Sequence, residues 1–254
     1  MKKVFILFIS IFFLNPRSVS KEDKVLEILY ICNLEGDFQF DQNGRKGLAT
    51  IAEVKRQRSE LLFDEDGLAV MVSNGNFFEK GHTWSHHLMK KSGFDMVFFN
   101  SAELEEYYKN NPNLLQLNLP IYASYQNQMK IPQNKEFTSG NIKFEISSIY
   151  SAPAPEKKLS IQLVFLPENE PIPTIKTNIP VIFFISDKTK SPYTYQSNVY
   201  TANCPSKTGK LGKLDLYFRK GELIRQYNDM IHLNTEDHNH RWFPPAIETQ
   251  KELQ

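Results

Sequence analysis

Three short apolar segments, each followed by polar residues and then by a stretch with helical spacing, constrain the fold of the first half of this chain. The apolar segments are rich in strand-forming residues, and the helical stretches repeat apolar residues three or four positions apart. Strands are predicted at Val25–Cys32, Gly67–Ser73 and Phe94–Phe99, and helices at Leu48–Leu62, Thr83–Lys91 and Glu103–Lys109. This repetition is typical of βαβ units, so we expect a parallel sheet flanked by helices.

The second half of the chain has many strand candidates and few helical stretches between them. The connections at residues 151–158 and 167–177 are rich in proline, and the periodicity fades after Asn228. We therefore expect an irregular tail over residues 229–254. Strands are predicted at Ile121–Tyr125, Ile142–Tyr150, Leu159–Leu166, Pro180–Ile185, Asn198–Ala202 and Lys213–Phe218.

The first 20 residues have the pattern of a secretory signal peptide. Lys2 and Lys3 precede an apolar run, Val4–Leu14, which is shorter than the roughly 20 residues that a membrane-spanning helix needs. Small residues at Ser18–Ser20 predict cleavage before Lys21. The sequence thus predicts an exported protein, periplasmic or extracellular, with no further membrane span; an uncleaved anchor is the alternative.

Composition and charge narrow the class of partner. Hydrophobic residues make up 41% of the chain and charged residues 23%, which excludes a disordered polymer and a multi-span membrane protein. The formal net charge is +1, and cleavage of the leader would remove Lys2, Lys3 and Arg17, so that acidic residues slightly outnumber basic ones. This balance argues against nucleic acid or an anionic membrane surface as the partner.

The chain contains two cysteines, Cys32 and Cys204. An exported compartment permits a disulfide bond, but the pairing also requires a short distance between the two Cα atoms, which the sequence does not supply. Two buried free thiols are the alternative.

Polar residues follow the predicted strands at the edge of the sheet where open α/β sheets bind their ligands. These residues belong to a series of segments along the chain: Asn33-Leu34-Glu35, Gly47-Leu48-Ala49, Gly75-Asn76-Phe77-Phe78, Ser92-Gly93-Phe94-Asp95, Asn100-Ser101-Ala102-Glu103, Leu119–Ser124 and Ala202–Leu216. The order and spacing of these segments resemble the amino-terminal domain of the 5′-nucleotidases, within the calcineurin-like metallophosphoesterases. The resemblance implies a four-layer α/β/β/α sandwich of the metallo-dependent phosphatase type, with residues 21–228 as one domain.

The chain departs from the family pattern at the positions that hold metal. Asn33 and Asn76 stand where the family has aspartates, the second of which bridges two metal ions. Ser101 falls on the metal-binding asparagine and Ala102 on the histidine beside it, whereas Glu35 keeps a carboxylate. Residues 186–190 replace the later histidine motif of the family. Two close dications need carboxylates to offset their mutual repulsion, so we expect no two-metal centre and no catalytic residues.

The resemblance and these departures together imply a non-catalytic protein, without a cofactor, that acts through an unknown ligand or an envelope protein. The alternative is a metal-dependent phosphoesterase with a rebuilt site that uses Glu35, Asn76, Glu103 and His82 and a divalent metal such as manganese or zinc. A third possibility is that Asn33, Glu35, Asn76 and Ser101 are ordinary polar loop residues that cap helices.

Two further histidines, His82 and His86, are four positions apart and would share a face of the predicted helix, as a zinc-binding pair does. With Glu35 they are weak candidates for metal ligands. The alternative is that they lie on the surface at the start of a helix.

Overall fold

The computed structural model describes residues 23–34, 47–77, 91–110, 119–125, 130–153, 156–167, 170–186, 193–196, 198–206 and 209–233. The predicted leader, residues 1–20, lies outside these ranges. So do Glu35, His82, His86 and all of the predicted helix Thr83–Lys91 except its last residue.

Among the described residues the first sheet has six strands, and the first three along the chain are buried on both faces, as expected where a sheet is covered on each side. The strands are β1 (Lys24–Cys32), β2 (Leu68–Asn74), β3 (Met96–Phe99), β4 (Ile121–Ala123), β11 (Lys210–Arg219) and β12 (Glu222–His232). Their order across the sheet is β12-β11-β1-β2-β3-β4. The first four strands of the chain are parallel, β11 pairs antiparallel with β1, and β12 pairs antiparallel with β11.

The second sheet also has six strands. They are β5 (Asn134–Ser139), β6 (Ile142–Ser147), β7 (Ile161–Phe165), β8 (Val181–Ile185), β9 (Tyr193–Gln196) and β10 (Val199–Asn203). Their order is β5-β6-β7-β8-β10-β9. The four central strands are parallel, and β5 and β9 pair antiparallel at the two edges.

Buried side chains define the layers of the molecule. The two sheets pack face to face through an apolar core that includes Tyr30, Phe98 and Phe165. The helices α1 (Leu48–Phe63) and α2 (Ser101–Asn110) pack on the other face of the first sheet. The outer face of the second sheet is covered, within the described ranges, by extended chain around Ile172 and Ile175. The α/β sandwich with two inner sheets is confirmed. Neither of the described helices α1 and α2 has the length and apolar character of a membrane span.

The prediction of an irregular tail from residue 229 is wrong at its start. Strand β12 continues to His232, and Asp229 and His232 pair in register with Lys213 and Lys210 of β11. The pairing of β12 with its neighbour therefore holds a segment whose own sequence has no clear apolar alternation. The remainder of the predicted tail lies outside the described residues from 234 onward.

Cys32 and Cys204 form a disulfide bond, with their Cα atoms 5.6 Å apart. Cys32 is the last residue of β1 in the first sheet, and Cys204 follows β10 in the second. The bond therefore links the two sheets directly beside Asn33. The alternative of two free thiols is ruled out in this structure.

Candidate functional site

The carboxyl ends of β1, β2 and β3 place three asparagines at one edge of the first sheet. These asparagines, which we call the asparagine chain, are Asn33, Asn76 and Asn100. Asn33 and Asn76 have positive φ angles of 49° and 34°, in the left-handed region that asparagine tolerates better than most residues. The main-chain N–H of Asn33 donates to the carbonyl of Asn74 at 3.0 Å, which fixes the turn out of β1.

The side-chain amides of the asparagine chain are hydrogen-bonded to one another. Nδ2 of Asn100 donates to Oδ1 of Asn76 at 2.6 Å, and Nδ2 of Asn76 lies 3.4 Å from Oδ1 of Asn33. Gly75 makes this approach possible, since a Cβ atom there would lie 2.8 Å from Oδ1 of Asn33. Two of the three side-chain amide oxygens thus accept a hydrogen bond from another member of the asparagine chain.

Asn100 also caps helix α2. Its Oδ1 accepts a hydrogen bond from the main-chain N–H of Glu103 at 3.0 Å, and a carboxylate oxygen of Glu103 accepts one from the main-chain N–H of Asn100 at 3.1 Å. This reciprocal pair is a capping box. Glu103, a metal ligand in the alternative hypothesis of a rebuilt phosphoesterase site, therefore caps the start of a helix.

The structure brings together only part of the predicted site. Asn33 and Asn76 are joined through their amides, and Ser101 follows Asn100 in the first turn of α2. Ala102 is exposed on the same turn. Glu35, His82 and His86 lie outside the described residues. Across the described ranges, no three His, Cys, Asp or Glu side chains are close enough together to hold a metal ion.

A cleft of about 640 Å³ opens beside Asn100, where strands of both sheets end. Its walls come from the loops after β3, β4, β6 and β7, which is the edge where ligands bind in open α/β sheets. The side chains are mainly hydroxyl, aromatic and prolyl groups with one carboxylate. The described lining residues are Asn100, Ser101, Ser124, Tyr125, Ser148, Ile149, Tyr150, Leu166, Pro167, Glu170, Pro171 and Pro173.

Two buried serines give the cleft a defined hydrogen-bond polarity. The hydroxyl of Ser124 donates to the carbonyl of Phe99 at 2.8 Å, and the hydroxyl of Ser148 donates to the carbonyl of Ala123 at 2.8 Å. Each proton is therefore committed to the main chain, and the oxygen keeps lone pairs that can accept a further bond. Ser124 keeps slight exposure and can present an acceptor to a ligand, whereas Ser148 is fully buried and supports the wall of the cleft.

At the rim of the cleft, burial and a nearby negative charge both raise the pKa of a tyrosine. Burial is the larger cause at Tyr125 and the charge of Glu105 the smaller, and the phenol is protonated at neutral pH. Glu170 is exposed beside the prolines of the cleft. Carboxylates and tyrosine rings both attract cations.

One polar contact fixes the cleft wall across the two sheets. Nδ2 of Asn74, at the end of β2, donates to the carbonyl of Leu166 at 2.9 Å. The main-chain N–H of Leu166 in turn donates to the carbonyl of Phe184 at 3.0 Å. The loop that carries Pro167 is thus held from both sheets.

Sequence reasoning missed Asn100, Ser124 and Ser148 as site residues. The Asn-x-x-Glu spacing from Asn100 to Glu103 is a capping signal that was available in the sequence. Ser124 and Ser148 each closely follow a strand, so the rule that ligands bind at the carboxyl ends of strands could have found them.

Comparison with known proteins gives matches only among solved structures. No protein-family model and no curated protein matches the chain. A 5′-nucleotidase from Candida albicans matches 89% of this chain with a TM-score of 0.62 and 9% identity, over 56% of its own length. A 5′-nucleotidase precursor from Thermus thermophilus matches 90% with a TM-score of 0.58 and 11% identity, over 57% of its length.

A third match is shorter than the two nucleotidases, and the likeness extends over nearly its whole length. The calcineurin-like phosphoesterase YfkN from Bacillus subtilis matches 91% of this chain with a TM-score of 0.56 and 11% identity, over 97% of the matched chain. The chain spans little more than half the length of the two nucleotidases. At these identities the likeness concerns the fold, and the protein therefore has the fold of the 5′-nucleotidases and calcineurin-like phosphoesterases.

Proposed function

We propose that this protein is a non-catalytic binding module built on a phosphoesterase fold, and that its cleft holds a ligand without hydrolysing it. The asparagine chain is the observation that supports this proposal. Neutral amides stand at the ends of β1, β2 and β3, and the amides of Asn76 and Asn100 are 2.6 Å apart and bonded to each other.

The described residues do not fit a two-metal centre. Such a centre holds two dications about 4 Å apart and needs anionic ligands to offset their repulsion. Oδ1 of Asn76 already accepts a hydrogen bond from Asn100, and the carboxylate of Glu103 is engaged in the capping box. The proposed function therefore uses no metal ion.

The polarity of the cleft favours a ligand that donates hydrogen bonds. Ser124 presents an acceptor oxygen, Glu170 adds a negative charge, and Tyr125 and Tyr150 offer aromatic faces. An amine attached to an apolar body satisfies all of these groups, because the ammonium group donates hydrogen bonds and is attracted to carboxylates and aromatic rings. We take such an amine as the ligand class.

The proposal places the protein outside the cytoplasm, in the periplasm or the extracellular space. The leader pattern of residues 1–20 supports export. The disulfide bond between Cys32 and Cys204 supports an oxidising compartment, because such bonds are rare in the cytosol.

The proposed absence of catalysis is tested by measuring activity and metal binding together. The purified protein is assayed with a chromogenic phosphoester and with AMP, in the presence of manganese or zinc, and titrated calorimetrically with manganese, zinc and calcium. We expect no turnover above the blank. Turnover that disappears in Asn76→Ala, together with micromolar metal binding lost in the same variant, would overturn the proposal.

The ligand class is tested with three matched probes that share a benzyl group: benzylamine, benzyl alcohol and benzyl phosphate. We expect benzylamine to bind most tightly in a calorimetric titration and to lose roughly tenfold in affinity in Glu170→Gln. Glu156→Gln, which removes a carboxylate that does not line the cleft, serves as the control. Preferred binding of benzyl phosphate would contradict the amine assignment and leave the non-catalytic assignment standing.

A further inference from the structure

Strand β12 forms an edge of the first sheet and is the longest strand in the described part of the chain. It pairs with β11 on one side, and its sequence is ELIRQYNDMIH. A long edge strand is a template for pairing with another strand.

The direction of the main-chain groups along β12 follows from one hydrogen bond. The N–H of Leu233 donates to the carbonyl of Gly209 at 3.2 Å, which makes this a hydrogen-bonded pair of the antiparallel ladder. Such pairs alternate along the strand, so the odd-numbered residues from Arg225 onward bond to β11. The main-chain groups of Gln226 and Met230 consequently point to the outer edge.

A second contact agrees with this direction. The main-chain N–H of Met230 donates to Oδ1 of Asp229, its own neighbour, at 2.8 Å. An N–H that points toward β11 would instead bond to a carbonyl of that strand. The only register shift between β11 and β12 lies at the start of β12, beside Phe218, so the run from Arg225 to His232 is regular.

The sequence of this regular run is complementary to itself when two copies are antiparallel. With a two-fold axis at Tyr227, Arg225 of each copy faces Asp229 of the other, and Gln226 faces Asn228. The Gln226–Asn228 pairs are the ones whose main-chain groups point outward, as the hydrogen-bonded pairs of a new ladder must. This register therefore satisfies both the charges and the main-chain directions.

Other registers lack this complementarity. Moving the two-fold axis two residues toward either end of β12 places Arg225 opposite Arg225 or Asp229 opposite Asp229. Like charges directly opposite each other destabilise a strand pair. A shift of the axis by one residue, to Gln226 or Asn228, keeps the main-chain directions but loses the pairs between Arg225 and Asp229. The charge pattern therefore favours the register centred at Tyr227.

The side chains of the edge are already arranged for this contact. The guanidinium of Arg225 lies between the rings of Tyr217 and Tyr227, 4.3 and 5.0 Å from their centroids, and its buried Nε has no hydrogen-bond acceptor among the described residues. Tyr227 is 50% exposed. An arginine held in place in this way loses less conformational freedom when it binds a partner carboxylate.

We propose that β12 pairs with β12 of a second copy of this chain, antiparallel about Tyr227, and so joins two six-stranded sheets into one continuous sheet. The pairing is isologous, as expected for a two-fold dimer. It uses the sheet edge and leaves the cleft at the carboxyl ends of the parallel strands to each copy.

Charge exchange on the edge tests the proposal. Sedimentation equilibrium of the purified protein should show a dimer whose dissociation constant rises roughly tenfold or more in Arg225→Glu and in Asp229→Arg, because each change sets like charges opposite each other. The double variant restores the opposite-charge pairs and should recover the dimer. Lys143→Glu, an exposed charge change on β6, is the control and should leave the dissociation constant unchanged.

Hydrogen exchange supplies an independent readout. The amide of Gln226 should gain protection as the protein concentration rises, whereas the amide of Tyr227, which bonds to β11, should be protected at every concentration. A protein that remains monomeric at all concentrations, or a double variant that fails to recover the dimer, would overturn the proposal. Protection of Gln226 that does not depend on concentration would also overturn it, because another segment of the same chain would then cover the edge.

Discussion

Arg58 of α1 donates from Nε to both carboxylate oxygens of Glu27, at 2.8 and 2.9 Å, across the interface between the helix and the first sheet. The Glu27 side chain has no solvent exposure, and Asp215 of β11 lies opposite it in register. Two carboxylates thus lie side by side under a helix that supplies one guanidinium, while Lys213 contacts Asp215 at 2.8 Å.

We expect Arg58→Met to lower the free energy of unfolding at neutral pH by about 3 to 5 kcal/mol, because it leaves the buried carboxylate of Glu27 without its partner. Arg56→Met is the control, since Arg56 is exposed, its partner Glu60 is exposed, and its other partner Glu53 keeps a hydrogen bond from Gln57. Urea denaturation measures both variants. Equal effects would show that the Glu27–Arg58 pair contributes no more than a surface pair.

The stability should depend on pH through Glu27. Burial, and to a lesser extent the charge of Asp215, raises the pKa of Glu27 above its ordinary value despite the contact with Arg58. The folded protein therefore holds this proton more tightly than the unfolded chain. The contribution of Glu27 to the free energy of unfolding is full below the ordinary glutamate pKa of about 4.3 and falls as pH rises through the raised folded pKa.

Two variants separate this effect from that of other carboxylates. Glu27→Gln should remove the fall in stability with rising pH. Glu53→Gln should remove a slope of opposite sign, because the hydrogen bond from Arg56 lowers the pKa of Glu53 and its contribution is lost as pH falls. Chemical denaturation over a pH series measures both slopes. The same slope in both variants would contradict this assignment.

Gly212 of β11 should not tolerate a side chain. A Cβ atom there would lie 2.3 Å from the ring of Tyr30, whose hydroxyl donates to Oδ1 of Asn228 at 2.6 Å. We expect Gly212→Ala to lower the free energy of unfolding by about 1 to 3 kcal/mol through overpacking. Gly209→Ala, where no described atom lies within 4 Å of the added Cβ, should be nearly neutral. If Tyr30→Leu does not reduce the effect of Gly212→Ala, the clash is not its cause.

The disulfide bond should contribute strongly to stability because its cysteines are 172 positions apart. Restricting so long a loop in the unfolded chain is expected to stabilise the fold by about 2 to 5 kcal/mol, which the Cys32→Ser, Cys204→Ser double variant would lose. Urea denaturation gives the magnitude. A thiol titration of the unfolded, unreduced protein should find no free thiol; two reactive thiols would contradict the pairing.

The parallel strands could be predicted from the sequence because their residues are apolar on both faces. Val25–Cys32 and Phe94–Phe99 are apolar except for Glu27 and Asp95, and the structure places strands within two residues of these bounds. Edge strands lack that signal. β5 (Asn134–Ser139) was missed because it is polar and largely exposed, and it is held by its pairing with β6.

The candidate site was predicted only in part for a related reason. The asparagines follow strands directly, so their common edge could be inferred from topology. The bond between Asn76 and Asn100, and the hydroxyl directions of Ser124 and Ser148, depend on main-chain atoms far away in the sequence. The pairing of Cys32 with Cys204 likewise depends on how the ends of β1 and β10 meet.

The position of β1 inside the first sheet affects how the chain can fold during its synthesis. Residues 24–30 pair with residues 212–218 on one side, and residues 26–32 pair with β2 on the other, so one neighbour of β1 is synthesised long after the strand itself. An emerging amino-terminal half therefore has an incomplete sheet with an exposed apolar edge, the kind of intermediate that aggregates readily. We therefore expect chaperones to protect this edge until β11 is made, and truncation before residue 210 should give insoluble protein.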